Sequence, residues 1–189
     1  MQKLLLAVAL AACLPFTSGC VPMAAVGAGT VAVMSDDRRT TGIYVEDENI
    51  EWKALGKLSS DQFKGAHVNT TSYNRKVLLT GEAPTEDMKK VIRDTIALIP
   101  SVVEVVNEVQ VAGASSLTAR GSDSFVTTNV KTRMIGNKKF SPNHVKVVTE
   151  ASTVYLMGIV SQEEGDAAAE VARTTSGVRG VVKVFEYRK

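Results

Sequence analysis

The chain has 189 residues, 44% of them hydrophobic, with 22 basic and 20 acidic side chains and a formal net charge of +2. That length allows one medium core or two small ones, and the composition excludes wholesale disorder. Aromatic residues are only 5% and the mean hydropathy is +0.04, so beyond the N-terminus this is an ordinary globular composition, with a Val and Thr content that favours strands.

The N-terminus is the exception. Met1 to Lys3 supply a short positive stretch and Leu4 to Phe16 an apolar run too short to span a bilayer, the pattern of a secretory signal. Thr17, Ser18 and Gly19 then lead into Cys20, an arrangement similar to the box cut by lipoprotein signal peptidase before a lipid-modified cysteine. Leu10-Ala11-Ala12-Cys13 matches that box better as a string but would leave a 12-residue signal, so cleavage is predicted after residue 19 and lipidation at Cys20. With Cys13 removed, Cys20 is the last cysteine and no internal disulfide is possible.

From Val21 to Met34 the chain is uncharged and rich in Ala, Val and Gly; from Ser35 to Val45 it turns polar, with Asp36, Asp37, Arg38 and Arg39. This predicts a membrane-proximal tether followed by an exposed leader. The GxG at Gly27 to Gly29 follows no strand and reads as tether, not as a nucleotide-binding turn.

The remainder repeats itself. Val68, Val77, Leu79, Gly81 and Glu86 recur 77 residues later as Val145, Val154, Leu156, Gly158 and Glu163. In the first copy the periodicities predict a helix near Asp47 to Leu58, strands at Val68 to Tyr73 and Lys76 to Glu82, a helix from Pro84 or Thr85 to Leu98, and a strand at Val102 to Val111. In the second, Ser122 or Asp123 caps a helix through Ile135, and strands follow at Val145 to Glu150 and Thr153 to Val160. Ser161-Gln162-Glu163-Glu164 reads as a capping box opening a helix that buries Ala168, Val171, Ala172 and Thr175. Gly177 ends that helix, and Val178 to Tyr187 alternates as the last strand. Each unit is α-β-β-α-β, an α+β sandwich with its helices on one sheet face.

The inventory for catalysis is poor. His67 and His144 stand at equivalent repeat positions, which accounts for them better than a base or ligand role, and no metal site follows from them. Glu82, Glu86 and Asp87, like Glu163, Glu164 and Asp166, cluster where helix N-termini attract negative charge. Ser59-Ser60, Ser115-Ser116 and Thr174-Thr175-Ser176 have no nearby histidine to activate them. No enzyme, cofactor or metal is expected.

The two copies differ in charge. From Glu46 to Ala119 there are 8 basic and 11 acidic residues, net −3; from Arg120 to Lys189 there are 11 basic and 7 acidic, net +4. On the second copy's first helix, Val126, Val130 and Met134 form the stripe that must face the sheet, leaving Phe125 and Ile135 outward at roughly 140° to either side. Lys131 and Arg133 share that helix, and Lys138, Lys139 and Phe140 follow it. Two destinations stand open for the outward pair: an anionic lipid surface, or packing against the first copy or a loop. The only tryptophan, Trp52, lies off the stripe of the first copy's helix; with Glu46, Asp47, Glu48 and Glu51 nearby it is assigned to packing between the units rather than to an anionic surface. Nucleic acid is disfavoured by export and by the lack of a stacking platform.

The ordered set of repeat elements, with a second strand ending in Gly81 or Gly158 and the junction Ser176-Gly177-Val178-Arg179-Gly180-Val181-Val182, resembles the BON domain. Together with the signal, the tether, Asp37-Arg38-Arg39-Thr40-Thr41-Gly42 and the run Val145 to Glu150, the chain resembles the dual-BON outer-membrane lipoproteins of the DolP type along nearly its whole length. The resemblance implies a signal peptide at 1–19, a lipid-anchored tether at 20–45, BON units at 46–113 and 122–189 with a linker at 114–121, and in each unit a three-stranded mixed sheet with two helices. It implies outer-membrane anchoring on the periplasmic face, consistent with Val21 after the cysteine, and support of envelope integrity. It further implies that the second unit binds anionic phospholipid such as phosphatidylglycerol or cardiolipin through its first helix, where Phe125 replaces a tryptophan. The site residues expected on that basis are Phe125, Lys131, Arg133, Ile135, Lys138 and Lys139. The competing expectation is an interaction module for envelope assembly proteins or cell-wall machinery.

Overall fold

A computed structural model describes residues 36–188, and these belong to one compact unit. The expected signal peptide, Cys20 and the tether through Ser35 lie outside the described residues. In chain order the elements are α1 (Thr41–Leu58), β1 (His67–Tyr73), β2 (Lys76–Ala83), α2 (Glu86–Ala97), β3 (Glu104–Asn107), β4 (Gln110–Val111), α3 (Leu117–Ile135), β5 (Lys146–Glu150), β6 (Thr153–Val160), α4 (Gln162–Arg173) and β7 (Gly180–Tyr187). None of the described helices is long and apolar enough to cross a membrane.

Each copy closes its first two strands into a two-residue hairpin whose loop residues both have positive φ: Asn74 and Arg75 in one, Ala151 and Ser152 in the other. Only Asn among these four tolerates that backbone readily, so the turns need outside support. A buried aspartate on the preceding helix supplies it. Asp47 accepts from the amides of Asn74 (2.8 Å) and Arg75 (2.7 Å) and from the Ser72 hydroxyl; Asp123 accepts from the amides of Ala151 (2.9 Å) and Ser152 (2.8 Å). Charge-assisted bonds to otherwise unpaired amides fix helix to hairpin at the same point in both copies.

In the first sheet β2 is central, antiparallel to β1 and parallel to β3 and β4; in the second, β6 is antiparallel to β5 and parallel to β7. Alternation along the central strands divides the apolar residues between two faces. Val77 and Leu79 meet Ile50, Ala54, Ile92 and Ile96 of α1 and α2, while Val154 and Leu156 meet Val126, Val130, Ala168 and Ala172 of α3 and α4. The residues between them point the other way: Leu78 and Tyr73 of the first sheet pack with Tyr155, Met157 and Val184 of the second. The two sheets therefore stack with the helices outermost, giving helix, sheet, sheet, helix. Each large side chain buried between the sheets contributes about 1.5–3 kcal/mol as an upper estimate. Lys146 reinforces the join, donating to Glu51 (2.9 Å) and to the Ser72 carbonyl (3.2 Å).

Several expectations need correction. The leader is exposed only in part: Asp36, Thr40, Thr41 and Val45 are exposed, but residues 37–39 are half-buried, and the first helix begins at Thr41, capped by the Thr40 hydroxyl, rather than near Asp47. The second copy's first helix starts at Leu117, inside the expected linker, with Ser116 as its cap; Asp123 is interior to it and is held by the hairpin. The strand expected over Val102 to Val111 is two pieces, β3 and β4, which keep one register along β2. Trp52 does not pack between the units, being 69% exposed, and Asp47 adds no surface charge because it is buried.

Gly81 and Gly158 explain the most visible repeated word of the sequence. Each lies opposite the start of the antiparallel strand, where a Cβ would stand 2.1 Å from the His67 carbonyl oxygen or 2.2 Å from that of His144. Backbone, not a flexible side chain, occupies the space, so nothing can give way cheaply. Gly81→Ala and Gly158→Ala are each expected to destabilise the protein by roughly 2–4 kcal/mol in denaturant titrations. Gly56→Ala, in the interior of α1 with open space around it, should stabilise by roughly 0.5–1 kcal/mol. Equal effects at the three positions would contradict the packing account.

Candidate functional site

Helix α3 is held on its inner side by Val126, Val130 and Met134, all buried, and by Asp123 on the hairpin. The Thr127 hydroxyl bonds the Thr149 hydroxyl at 2.7 Å. Its outer side is therefore rigidly presented. Phe125 is 67% and Ile135 73% exposed; ten residues apart, they lie about 15 Å apart along the axis and about 80° around it, on one outward face. Lys131 is exposed and falls about 40° from Ile135 on the same face. Thr128 and Thr132, between the two apolar residues, donate their hydroxyls back to the Ser124 (3.0 Å) and Thr128 (2.8 Å) carbonyls. With those hydroxyls satisfied inside the helix, the face costs less to remove from water.

Beyond the helix, Asn137 accepts from the Lys139 amide at 2.8 Å, and Phe140 plugs the core, so Lys138 and Lys139 are exposed on a shaped turn. Between Ser124 and Thr149 there is no Asp or Glu against five Lys and Arg. The structure thus places Phe125, Lys131 and Ile135 on one outward side of α3 and Lys138 and Lys139 on the turn that follows it. Arg133 differs. Its guanidinium donates to Thr175 Oγ1 (2.7 Å), Thr174 Oγ1 (3.0 Å) and the Val171 carbonyl (3.2 Å) at the C-terminus of α4, where a cation offsets the helix dipole.

Next to that turn lies a feature that sequence reasoning missed. Residues 36–40 form a strap across both copies. Asp36 binds the Ser141 hydroxyl and Asn143 Nδ2 (3.2 Å) and faces His144 Nε2 at 3.4 Å. Arg38 makes a fork with Glu164 (2.6 and 2.7 Å) and donates to the Ile159 carbonyl (2.7 Å). Arg39 turns the other way, bonding Asp47 at 2.9 Å and lying 4.0 Å from the Tyr73 ring centre. The run Asp-Asp-Arg-Arg reads as solvated charge; Asp36 and Arg38 find their partners more than 100 residues away, where no local periodicity reports them.

Comparison with known proteins agrees with this architecture. The BON domain matches residues 46–113 and 122–189. The chain belongs to the BON-domain family. It is 39% identical over 175 residues to the outer membrane lipoprotein DolP of Haemophilus influenzae, covering 91% of this chain and 90% of that protein. It is 38% identical over 153 residues to a 21 kDa hemolysin of Actinobacillus pleuropneumoniae, covering 80% of this chain and 79% of that one. The osmotically-inducible protein Y of Escherichia coli is 26% identical over 148 residues, 74% of this chain and 72% of that protein. This is a two-BON outer membrane lipoprotein, and the expected fold, two α+β BON repeats with mixed sheets, is the one found.

The capping box of the second BON repeat has a double use. Ser161 and Glu164 cap α4 reciprocally, and Glu164 also receives Arg38. Hydrogen bonding by Arg38, aided by the Ser161 amide, holds the Glu164 carboxyl at about 2, below its ordinary 4.5. A carboxyl lowered in this way contributes stability that is complete above 4.5 and lost as the pH falls towards 2. Protection of the Arg39 amide, which donates to Asp37 at 2.8 Å, relative to core amides of α4, should therefore fall across that window. Glu164→Gln should show low protection already at pH 5; full protection in that variant would contradict the docking account.

Proposed function

We propose that this outer membrane lipoprotein binds anionic phospholipid, such as phosphatidylglycerol or cardiolipin, through the outer face of α3 in its second BON domain, without chemical turnover. The observation that carries the reading is the pairing of Phe125 and Ile135, outward on a fixed helix, with Lys131, Lys138 and Lys139 beside them and no acidic residue in that stretch. The apolar groups enter the headgroup boundary while the cations meet phosphates, each cation adding about 1 kcal/mol near an anionic leaflet. Arg133, committed to α4, contributes mainly by holding the helix.

The anchor and the face act on one membrane. With acylation at Cys20, the tether joins the body at Asp36, which is bonded to Ser141 and Asn143, a few residues beyond Lys138 and Lys139. A chain fastened next to the binding face keeps that face at high effective concentration over the surface it recognises. Supporting envelope integrity from the periplasmic face is the biological role this implies, by recognising the lipid state of the membrane.

Vesicle flotation of the Ser35–Lys189 fragment tests the reading. Binding should rise with phosphatidylglycerol content and fall with salt. Neutralising Lys131, Lys138 or Lys139 should each weaken it about fivefold, whereas Phe125→Ala with Ile135→Ala should abolish it and Phe125→Trp should strengthen it. Salt-insensitive binding, or none by a folded fragment, would leave a protein-interaction module at this face as the better reading.

A further inference from the structure

The first BON domain carries a second, unrelated surface. Strand β1 is an edge of its sheet, pairing only with β2. Because Tyr73 and Lys76 close a two-residue hairpin, hydrogen bonding alternates from that pair: Tyr73, Thr71, Asn69 and His67 turn their amides and carbonyls to β2, while Ser72, Thr70 and Val68 turn theirs away. Ser72 agrees, since its amide donates to Glu51 at 2.7 Å and its carbonyl accepts from Lys146 at 3.2 Å. Those two side chains stop the edge at Ser72. Among the described residues nothing stops it at Thr70 or Val68.

The open part of the edge borders a groove of about 480 Å³ walled by Glu48, Trp52, Leu55 and Leu58 of α1. On the other side Asn69 borders a smaller groove of about 280 Å³, whose far wall is Arg120, Ser124 and Thr127 of α3. The edge is thus recessed between two helices. Trp52 and Leu55 are 69% and 58% exposed, an apolar wall with no partner, and Glu48 beside them makes no ion pair among the described residues.

We propose that this recessed edge takes up an extended segment of a partner protein by strand addition, with apolar side chains of the segment against Trp52 and Leu55 and a Lys or Arg towards Glu48. The main-chain groups at Thr70 and Val68 require an extended backbone, and alternate side chains of such a strand fall on the α1 wall. Charge selects the same class: Glu48 attracts a cation, and the Trp52 face accepts one. An anionic membrane is disfavoured there by that carboxylate. A second copy is disfavoured because its own β1 is recessed in the same way, so two such edges cannot meet. The main-chain edge and the α1 wall belong to the first domain and share no residue with the lipid-binding face, which the far wall at Ser124 and Thr127 adjoins.

The test is selection of displayed peptides on the Ser35–Lys189 fragment, which contains the whole compact unit, followed by titration of synthetic versions through the fluorescence of Trp52, the only tryptophan. Selected peptides should alternate β-branched or aromatic residues with others and carry Lys or Arg. Binding should slow exchange of the Thr70 amide. Thr70→Pro, at an amide the β1–β2 ladder does not use, should weaken binding at least tenfold while leaving vesicle flotation unchanged. Glu48→Lys should turn the preference from basic to acidic peptides, and it carries the test alone if Thr70→Pro fails to fold. No enriched peptide, equal binding by the variants, or an unchanged charge preference in Glu48→Lys would overturn the proposal. So would self-association lost in Thr70→Pro, which would give the edge to a second copy.

Discussion

The stacking of the two sheets against each other is the constraint from which the rest follows. Each BON repeat has a helix-covered face and a bare one, and a bare three-stranded sheet is a liability in water. Packing Tyr73 and Leu78 against Tyr155, Met157 and Val184 removes both bare faces at once. Its consequence is that the helices become the outer layers of the molecule. Side chains on α1 and α3 that do not face their own sheet then have no protein to cover them, which is why Trp52 and Leu55 on one side and Phe125 and Ile135 on the other stand exposed.

The repeats keep the parts that build the fold and vary the parts that do not. Asp47 and Asp123 clamp equivalent hairpins, and Gly81 and Gly158 admit equivalent carbonyls. The outer helix faces are free of those duties and have diverged. Alignment of Asp47 with Asp123 sets Trp52 and Leu55 of α1 against Thr128 and Lys131 of α3, so one scaffold offers an apolar groove with an acidic rim and, elsewhere, an apolar face with basic flanks. The strap adds a third role by tying the chain that precedes α1 to both repeats, Arg38 to one and Arg39 to the other.

Much of this is legible in the sequence. The repeat period, the alternation of β2 and β6, the capping box at Ser161 and the outward sense of Phe125 and Ile135 all rest on local spacing, and local spacing survives folding. What was not legible depends on distant partners. Asp123 looked like a cap because caps and clamps use the same residue, and only the position of Ala151 and Ser152 distinguishes them. Arg38 and Arg39 looked solvated because Glu164 and Asp47 are not visible to a helical wheel. Trp52 was assigned to an interface that the sheets, not the helices, supply. Arg133 counted as a free cation until Thr174 and Thr175 were seen to hold it.

In the proposed mode of binding, α3 meets the membrane by one face, without rotating or unfolding. Spin labels placed singly from Ser124 to Lys139 on the Ser35–Lys189 fragment, which contains no native cysteine, report this most directly through their accessibility to oxygen on phosphatidylglycerol vesicles. Immersion should repeat with the helical period, greatest at positions 128 and 132 in the middle of the face, slightly less at 125 and 135 on its flanks, lower at 131, and absent at position 52 of α1. Uniform accessibility along α3, or deeper immersion at position 52, would contradict it.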